Sequence, residues 1–485
     1  MDTDKARRPP FHTATLPQIL KLQAEKHGAL SAAIREKAYG IWQVYTWSDY
    51  LNFTRQVGLG LAALGCRSGD FVGLITDNHP EWLFSELGAQ AAGGVTLNLF
   101  TSAVAEELAA SLNRIRAAFV FVQNQEQTDK MLAMREKLSH VRKVVYIDPT
   151  GMASASYREN EWLLSFRDLL AMGVQQDREK PDLFDSLLKK GRPDDTALMI
   201  QTSGTTGLPK LAMLSHRNLT AIGESWIRAL KIGHGENWIS VSPPAWIVDQ
   251  MWGLGVALPG GMTMNFPETP ETVTEDFREI GPSRIITASR FWEELASRIR
   301  VKMSDAGRIK RFLFSQAERI GRSVVARQVR KEPLPVSLRI LHRLSALVIY
   351  RPLLDRIGCA NFLSAYTGGH PISPDVISFF RAIGMNLKQC YGLTEAGGIF
   401  QLQPDDEVKP ETVGKPLPGV QIRIAEDQEV LVSSPSVFKG YYQDYQATEA
   451  AFSEGWLRTG DAGYIDKDGH LLIIGRKEEI IRNKS

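Results

Sequence analysis

At 485 residues, with 43% hydrophobic and 23% charged content and a net charge of +2, the chain has an ordinary globular composition and room for about two to four domains. That charge excludes overall steering toward nucleic acid. Three scattered cysteines, Cys66, Cys359 and Cys390, exclude a disulfide framework. No apolar run reaches the roughly 20 residues of a membrane span, and the first residues lack the apolar core of a signal peptide. The expected location is the cytoplasm.

A helix is expected at Leu16–His27 and a strand at 41–45. Thr46-Trp-Ser-Asp49 carries the hydroxyl-x-x-acid pattern of a helix start before 50–64. Strands at 71–76, 95–99, 118–122 and 143–148 alternate with helices at 81–92 and 103–115. Residues 150–195 read as a polar connection with one short helix. The alternation resumes with strands 196–201, 238–241, 262–266 and 284–288 among helices 218–230, 246–258, 272–280 and 291–299. Strand 361–366, helix 374–383 and strand 386–389 follow. Short apolar strands alternating with helices predict βαβ units and a parallel sheet. After residue 410 the pattern becomes β-rich, with strands at 421–424 and 429–432 and a hairpin around Lys467-Asp-Gly469.

Residues 298–356 break the rhythm with 15 Lys/Arg against 4 Asp/Glu. One reading is a helical insertion with a solvated basic face. The other is a peripheral patch for an anionic membrane surface or an acidic partner. No nucleic-acid module accompanies the charge.

The loop Gln201-Thr-Ser-Gly-Thr-Thr-Gly-Leu-Pro-Lys210 stands out between a strand and a helix expected near Ser215. Glycines let backbone N–H groups approach an anion, hydroxyls add donors, and lysine adds charge. It is not a P-loop, because Pro209 precedes the lysine and Leu211 follows it. Gln389-Cys-Tyr-Gly-Leu-Thr-Glu395 ends a strand and offers an aromatic face and a carboxylate suited to Mg²⁺. Trp456-Leu-Arg-Thr-Gly-Asp461 offers an acceptor for ribose hydroxyls, and Gly475-Arg476 a guanidinium for ribose or phosphate.

These stretches, in this order, resemble the adenylate-forming (AMP-binding) superfamily, and within it the long-chain acyl-CoA synthetases. Gly368-Gly-His-Pro371, Gly414-Lys-Pro-Leu-Pro-Gly419 and Phe438-Lys-Gly-Tyr-Tyr442 also fit. The resemblance implies an α/β fold, the large N-terminal domain of those enzymes, with two parallel or mixed sheets sandwiched by helices and a small β-barrel-like subdomain. The expected bounds are 1–195 and 196–395 for two α/β subdomains, with the phosphate loop at 202–210 and the insertion at 298–356 in the second. A β-rich subdomain at 396–474 would follow, then a hinge start at 475–485 with the small C-terminal domain absent.

The implied activity is ATP-dependent conversion of a long-chain fatty acid to acyl-AMP and then acyl-CoA, with Mg²⁺ and with CoA as co-substrate. Thr202, Ser203, Gly204, Thr205, Thr206, Gly207 and Lys210 would hold the phosphates, Lys210, Thr206 and Glu395 being catalytic and Thr206 (or Thr205) and Glu395 flanking the metal. Tyr391 would stack on adenine beside Gly369, His370, Pro371, Gln389 and Cys390. Thr394 would touch the α-phosphate, and Asp461 and Arg476 the ribose. Trp246, Gly368 and Gly392 would line the acyl path. Asp249 is the nearest candidate for a substrate ammonium in an amino-acid-activating alternative.

Leu211 stands where the family has glycine, Glu478 where a pivot Asp or Lys is usual, and His370 where a small residue is usual; Ser242-Pro-Pro-Ala-Trp-Ile-Val-Asp249 lacks the usual histidine. Because the chain stops at the hinge, truncation and impaired turnover are expected. Two alternatives remain open: a fatty acyl-AMP ligase that loads a carrier protein, and a non-catalytic nucleotide- or acyl-binding protein. A homodimer and a peripheral membrane contact are left open as well.

Overall fold

The computed structural model describes residues 11–202, 209–269 and 271–482. The chain forms two compact units, Met1–Ile227 with Ser240–Phe266 and Pro435–Glu449, and Arg228–Ile239 with Pro267–Ser434 and Ala450–Ser485. Both are discontinuous in sequence. Strands far along the chain complete sheets begun much earlier, and linear patterning does not carry that information.

The first unit is built on an eight-stranded sheet. Its order is Gly440–Tyr441, Lys210–Ser215, Thr196–Thr202, Val95–Asn98, Phe71–Ile75, Phe119–Val122, Lys143–Tyr146 and Leu163–Ser165. From Thr196–Thr202 to Leu163–Ser165 every pairing is parallel. Phe119-Val-Phe-Val122 is buried at all four positions, as a strand covered on both faces requires. The chain leaves Phe71–Ile75 toward neighbours on both sides, so its carboxyl end is a switch point of the kind where α/β sheets bind ligands. Thr46 and Asp49 cap the helix Trp47–Ala63 reciprocally, at 3.1 and 2.8 Å. In the same unit Ala32–Ala38 pairs parallel to Thr263–Phe266 and antiparallel to Ile41–Thr46.

Three readings are corrected here. Lys210–Ser215 is a strand antiparallel to Thr196–Thr202, and the helix expected near Ser215 follows it as His216–Leu230. The strand's short apolar run, with Leu211, Ala212 and Leu214 buried, has no period that separates strand from helix. Residues 150–195 are no loose connection. They hold the strand Leu163–Ser165 and the helices Phe166–Glu179 and Leu183–Lys190, whose buried residues are few among charges. Ala32–Ala38, Ala-Ala-Ile-Arg-Glu-Lys-Ala, lacks strand-forming composition and is held as a strand by its neighbours.

The second unit holds two strand groups. The first runs Lys415–Pro416, Gly398–Leu402, Leu387–Leu393, Ser364–Gly368, Arg284–Ala288 and Asn237–Ile239. Its last four strands are parallel and its first two antiparallel. The second is a five-stranded antiparallel sheet of Gln421–Ile424, Glu429–Ser433, Trp456–Ile465, Phe452–Ser453 and Leu471–Arg476. The basic insertion is helical: Arg308–Val329, then Val336–Ser345 continued without a break through the wider π-helical turn Ala346–Tyr350 into Arg351–Arg356.

Candidate nucleotide-binding site

In the first unit, Thr202 and Lys210 face each other as the last described pair of the hairpin. Ser203, Gly204, Thr205, Thr206 and Gly207 lie outside the described residues. The hairpin base is held from the side by the helix Ala105–Ile115. Arg114 donates from Nη1 to the Pro209 carbonyl at 2.5 Å, and Gln201 donates from Nε2 to Ser111 Oγ at 2.8 Å. The Lys210 ammonium lies 5.0 Å from the centroid of the Tyr441 ring, a cation–π contact that fixes its stem. Leu211, in the place of glycine, is buried in the core with Leu97 and Met199, so its bulk is absorbed on the face away from solvent.

Asp249 serves the structure. It is 1% exposed, accepts from Asn78 Nδ2 at 2.9 Å and from the Ser240 hydroxyl, and burial pushes its carboxyl up to about 8. Both donors fall on Oδ2, and Oδ1 is buried without a hydrogen-bond partner among the described residues. Trp246 is half-buried immediately before the helical Ile247–Gln250. A second buried carboxylate, Glu86, accepts from Trp82 Nε1 at 2.6 Å, Thr96 Oγ1 at 2.7 Å and Asn98 Nδ2 at 3.1 Å, and ties the helix Pro80–Ala91 to the strand Val95–Asn98.

In the second unit the expected nucleoside residues converge. Asp461 and Arg476 are direct partners across antiparallel strands. Tyr391 donates its hydroxyl to Asp461 Oδ2 at 2.6 Å, while Arg476 Nε lies 3.3 Å from Oδ1. Arg476 Nη1 also donates to the Thr459 carbonyl at 3.0 Å, and the Asp461 N–H donates to Thr459 Oγ1 at 3.1 Å. Both oxygens of Asp461 are thus engaged, each with a lone pair left for a further donor. Burial, then the nearby Asp461 charge, holds the Tyr391 phenol well above its ordinary range. Burial also raises the Asp461 carboxyl, against the lowering effects of Tyr391 and Arg476. The Tyr391 ring packs edge-on to Phe400 with centroids 5.3 Å apart.

The neighbouring positions divide. Cys390 is 4% exposed with its thiol on the Thr367 carbonyl at 3.1 Å, so its side chain is structural. Gln389 commits its Nε2 to the Pro410 carbonyl at 2.7 Å. Gly392 is forced by packing: a Cβ there would lie 2.2 Å from the Gly398 carbonyl oxygen. A Cβ at Gly368 would meet Cys390 Sγ at 2.9 Å. Gly369, His370 and Pro371 are exposed just after Ser364–Gly368, and Thr394 and Glu395 sit half-buried in the single 3-10 turn after Leu387–Leu393.

Sequence reading missed Ser111, Arg114, Tyr441 and Thr459. Thr459 lay in plain view inside Trp456–Asp461. Tyr441 lay inside the stretch Phe438–Tyr442, whereas Ser111 and Arg114 carry no local signal, because their roles come from chain segments brought alongside.

The chain is thus an α/β protein in which the half-buried Tyr391 and the exposed Arg476 meet on the buried carboxyl of Asp461. The chain belongs to the AMP-binding enzyme family, whose model matches residues 20–442. Long-chain-fatty-acid–CoA ligase FadD15 of Mycobacterium bovis is 28% identical to it over 444 residues, covering 91% of this chain and 71% of its own length. Long-chain-fatty-acid–CoA ligase heimdall of Drosophila melanogaster is 28% identical over 488 residues, covering 96% and 70%. The fold is also that of the anthranilate CoA ligase AuaEII in complex with anthranoyl-AMP, at a TM-score of 0.71 and 18% identity over 96% of this chain and 78% of that one.

Proposed function

We propose that this protein is an AMP-forming acid–thiol ligase that activates a long-chain fatty acid with ATP and passes the acyl group to CoA. The fatty-acid carboxylate oxygen attacks the α-phosphorus of ATP, and the bond to the bridging oxygen breaks, giving acyl-adenylate and pyrophosphate. The CoA sulfur then attacks the acyl carbon, its proton is lost to solvent, and AMP leaves. The observation that carries this reading is the Tyr391–Asp461–Arg476 group, at 2.6 and 3.3 Å, in a member of the AMP-binding enzyme family. The choice of fatty acid and CoA is supported by the relatives named long-chain-fatty-acid–CoA ligases.

Asp461 accepts from the ribose hydroxyls, and Arg476 balances its charge and holds the strand pair in register. Tyr391 presents its ring to adenine, with its hydroxyl anchored. Lys210 neutralises charge on the phosphates, the main form of catalysis in such displacements. The hard oxygen donors Glu395 and Thr206 suit Mg²⁺, which would screen the polyphosphate.

The test is ATP–pyrophosphate exchange in the full chain. Exchange that depends on a long-chain fatty acid, with AMP and acyl-CoA formed once CoA is added, is the expected result. Absence of exchange with every fatty acid would sink the reading. Acyl transfer to a phosphopantetheine protein and not to CoA would reassign the second step.

A further inference from the structure

The second unit leaves an apolar stripe in solvent. The helix Val336–Ser345 has no buried residue. It runs back along Arg308–Val329, pinned where the Tyr350 hydroxyl donates to the Ala317 carbonyl. Val336, Ile340 and Leu344 recur along it at exposures of 69, 53 and 54%, and Leu347, in the π-helical turn that follows, is 66% exposed. This i, i+4 row is that of a helix buried on one face, yet the described residues bury nothing there. At the start of Arg308–Val329, Ile309 and Phe312 are likewise 77 and 61% exposed. An exposed apolar row of this kind marks a contact surface.

The charges around the stripe select its partner. Arg322, Arg327, Arg330 and Lys331 of the same insertion are paired with Asp375, Glu332 and Glu407. Among the described residues, Arg308, Lys310, Arg311, Arg339 and Arg343 face no carboxylate at ion-pairing distance. Arg311 and Arg339 reach only backbone carbonyls, those of Ser304 and Leu334. A second copy brought to the same stripe would set these cations against their own kind. A protein interface core is enriched in aromatic residues, whereas the row from Val336 to Leu347 is aliphatic. No described helix is long and apolar enough to cross a membrane.

We propose that this helical hairpin docks the protein on an anionic lipid bilayer, the helix Val336–Ser345 lying in the interface plane. Its aliphatic row enters the acyl boundary, and Arg339, Arg343 and the cluster Arg308–Lys310–Arg311 meet lipid phosphates. The inference does not depend on the chemistry proposed above.

The test uses the full chain with vesicles of phosphatidylcholine, alone or mixed with phosphatidylglycerol. Co-sedimentation is expected with the mixed vesicles and weakly with phosphatidylcholine alone, and it should fall as salt rises. Arg339→Ala with Arg343→Ala is expected to lower partition about fivefold per charge. Leu344→Glu with Leu347→Glu is expected to abolish it, with circular dichroism and fatty-acid-dependent exchange unchanged. A polarity-sensitive dye on Leu347→Cys should shift to the blue on vesicles, and the same dye on Leu30→Cys should not. Equal partition with and without phosphatidylglycerol, or none, overturns the proposal. So does a wild-type dimer that Leu344→Glu converts to monomer, which assigns the stripe to a second copy. Should the glutamate variant misfold, the arginine pair and the dye decide alone.

Discussion

The hairpin base around Lys210 and the cluster around Asp461 solve similar problems in different ways. At the hairpin the chemistry-bearing residues are contiguous, and the tertiary contribution is a brace: Arg114 on the Pro209 carbonyl and Tyr441 under the ammonium. At Asp461 three strands bring together residues 391, 461 and 476, and each partner is itself part of the site. A contiguous loop braced from outside should degrade gradually under substitution, whereas an assembled group should fail when one member is removed.

That contrast can be broken by experiment. Asp461→Ala should cost about a hundredfold in kcat/KM for ATP, about 2.7 kcal/mol, because Tyr391 and Arg476 lose their shared acceptor. A loss under threefold in pyrophosphate exchange would show that the cluster is structural. Gly392→Ala should lower stability by about 2 to 3 kcal/mol in urea unfolding, since its new Cβ would meet the Gly398 carbonyl oxygen at 2.2 Å. An unchanged midpoint would mean that the strand pair yields freely. Tyr391→Phe keeps the ring and deletes the donor to a buried carboxylate, so KM for ATP should rise about tenfold. Arg114→Ala removes only the brace and should raise that KM about fivefold with kcat held, the gentler response expected of the hairpin.

Asp249→Asn tests the scaffold below both regions. The buried carboxyl is neutral up to about 8, above the ordinary carboxylate range. Its folded pKa is raised, so its stabilisation is complete below about pH 4 and lost as pH rises through about 8. The variant should match the wild type near pH 4 and become progressively the more heat-stable above it. Parallel melting curves across that window would contradict the assignment.

Much of this was legible in the residues. Phe71–Ile75 and Phe119–Val122 read as buried parallel strands because apolar runs bounded by turns have few other solutions. Thr46 and Asp49 announced their cap, and the Tyr391, Asp461 and Arg476 stretches stood out by composition. Lys210–Ser215 did not read as a strand, because six residues with four apolar side chains fit either period. Ala32–Ala38 carried no strand signal at all, since two partners impose its extended form.

By itself the sequence determined the alternation of strand and helix, the residue types that a nucleotide requires, and the excess of charge at 298–356. Those are properties of neighbours in the chain. Only the tertiary structure decided that Asp461 faces Arg476 across a ladder while Tyr391 closes it from another strand. It alone separated the paired arginines of the insertion from those beside an exposed aliphatic row. Register between distant strands and the pairing of side chains from different helices are set by packing, which no local pattern encodes.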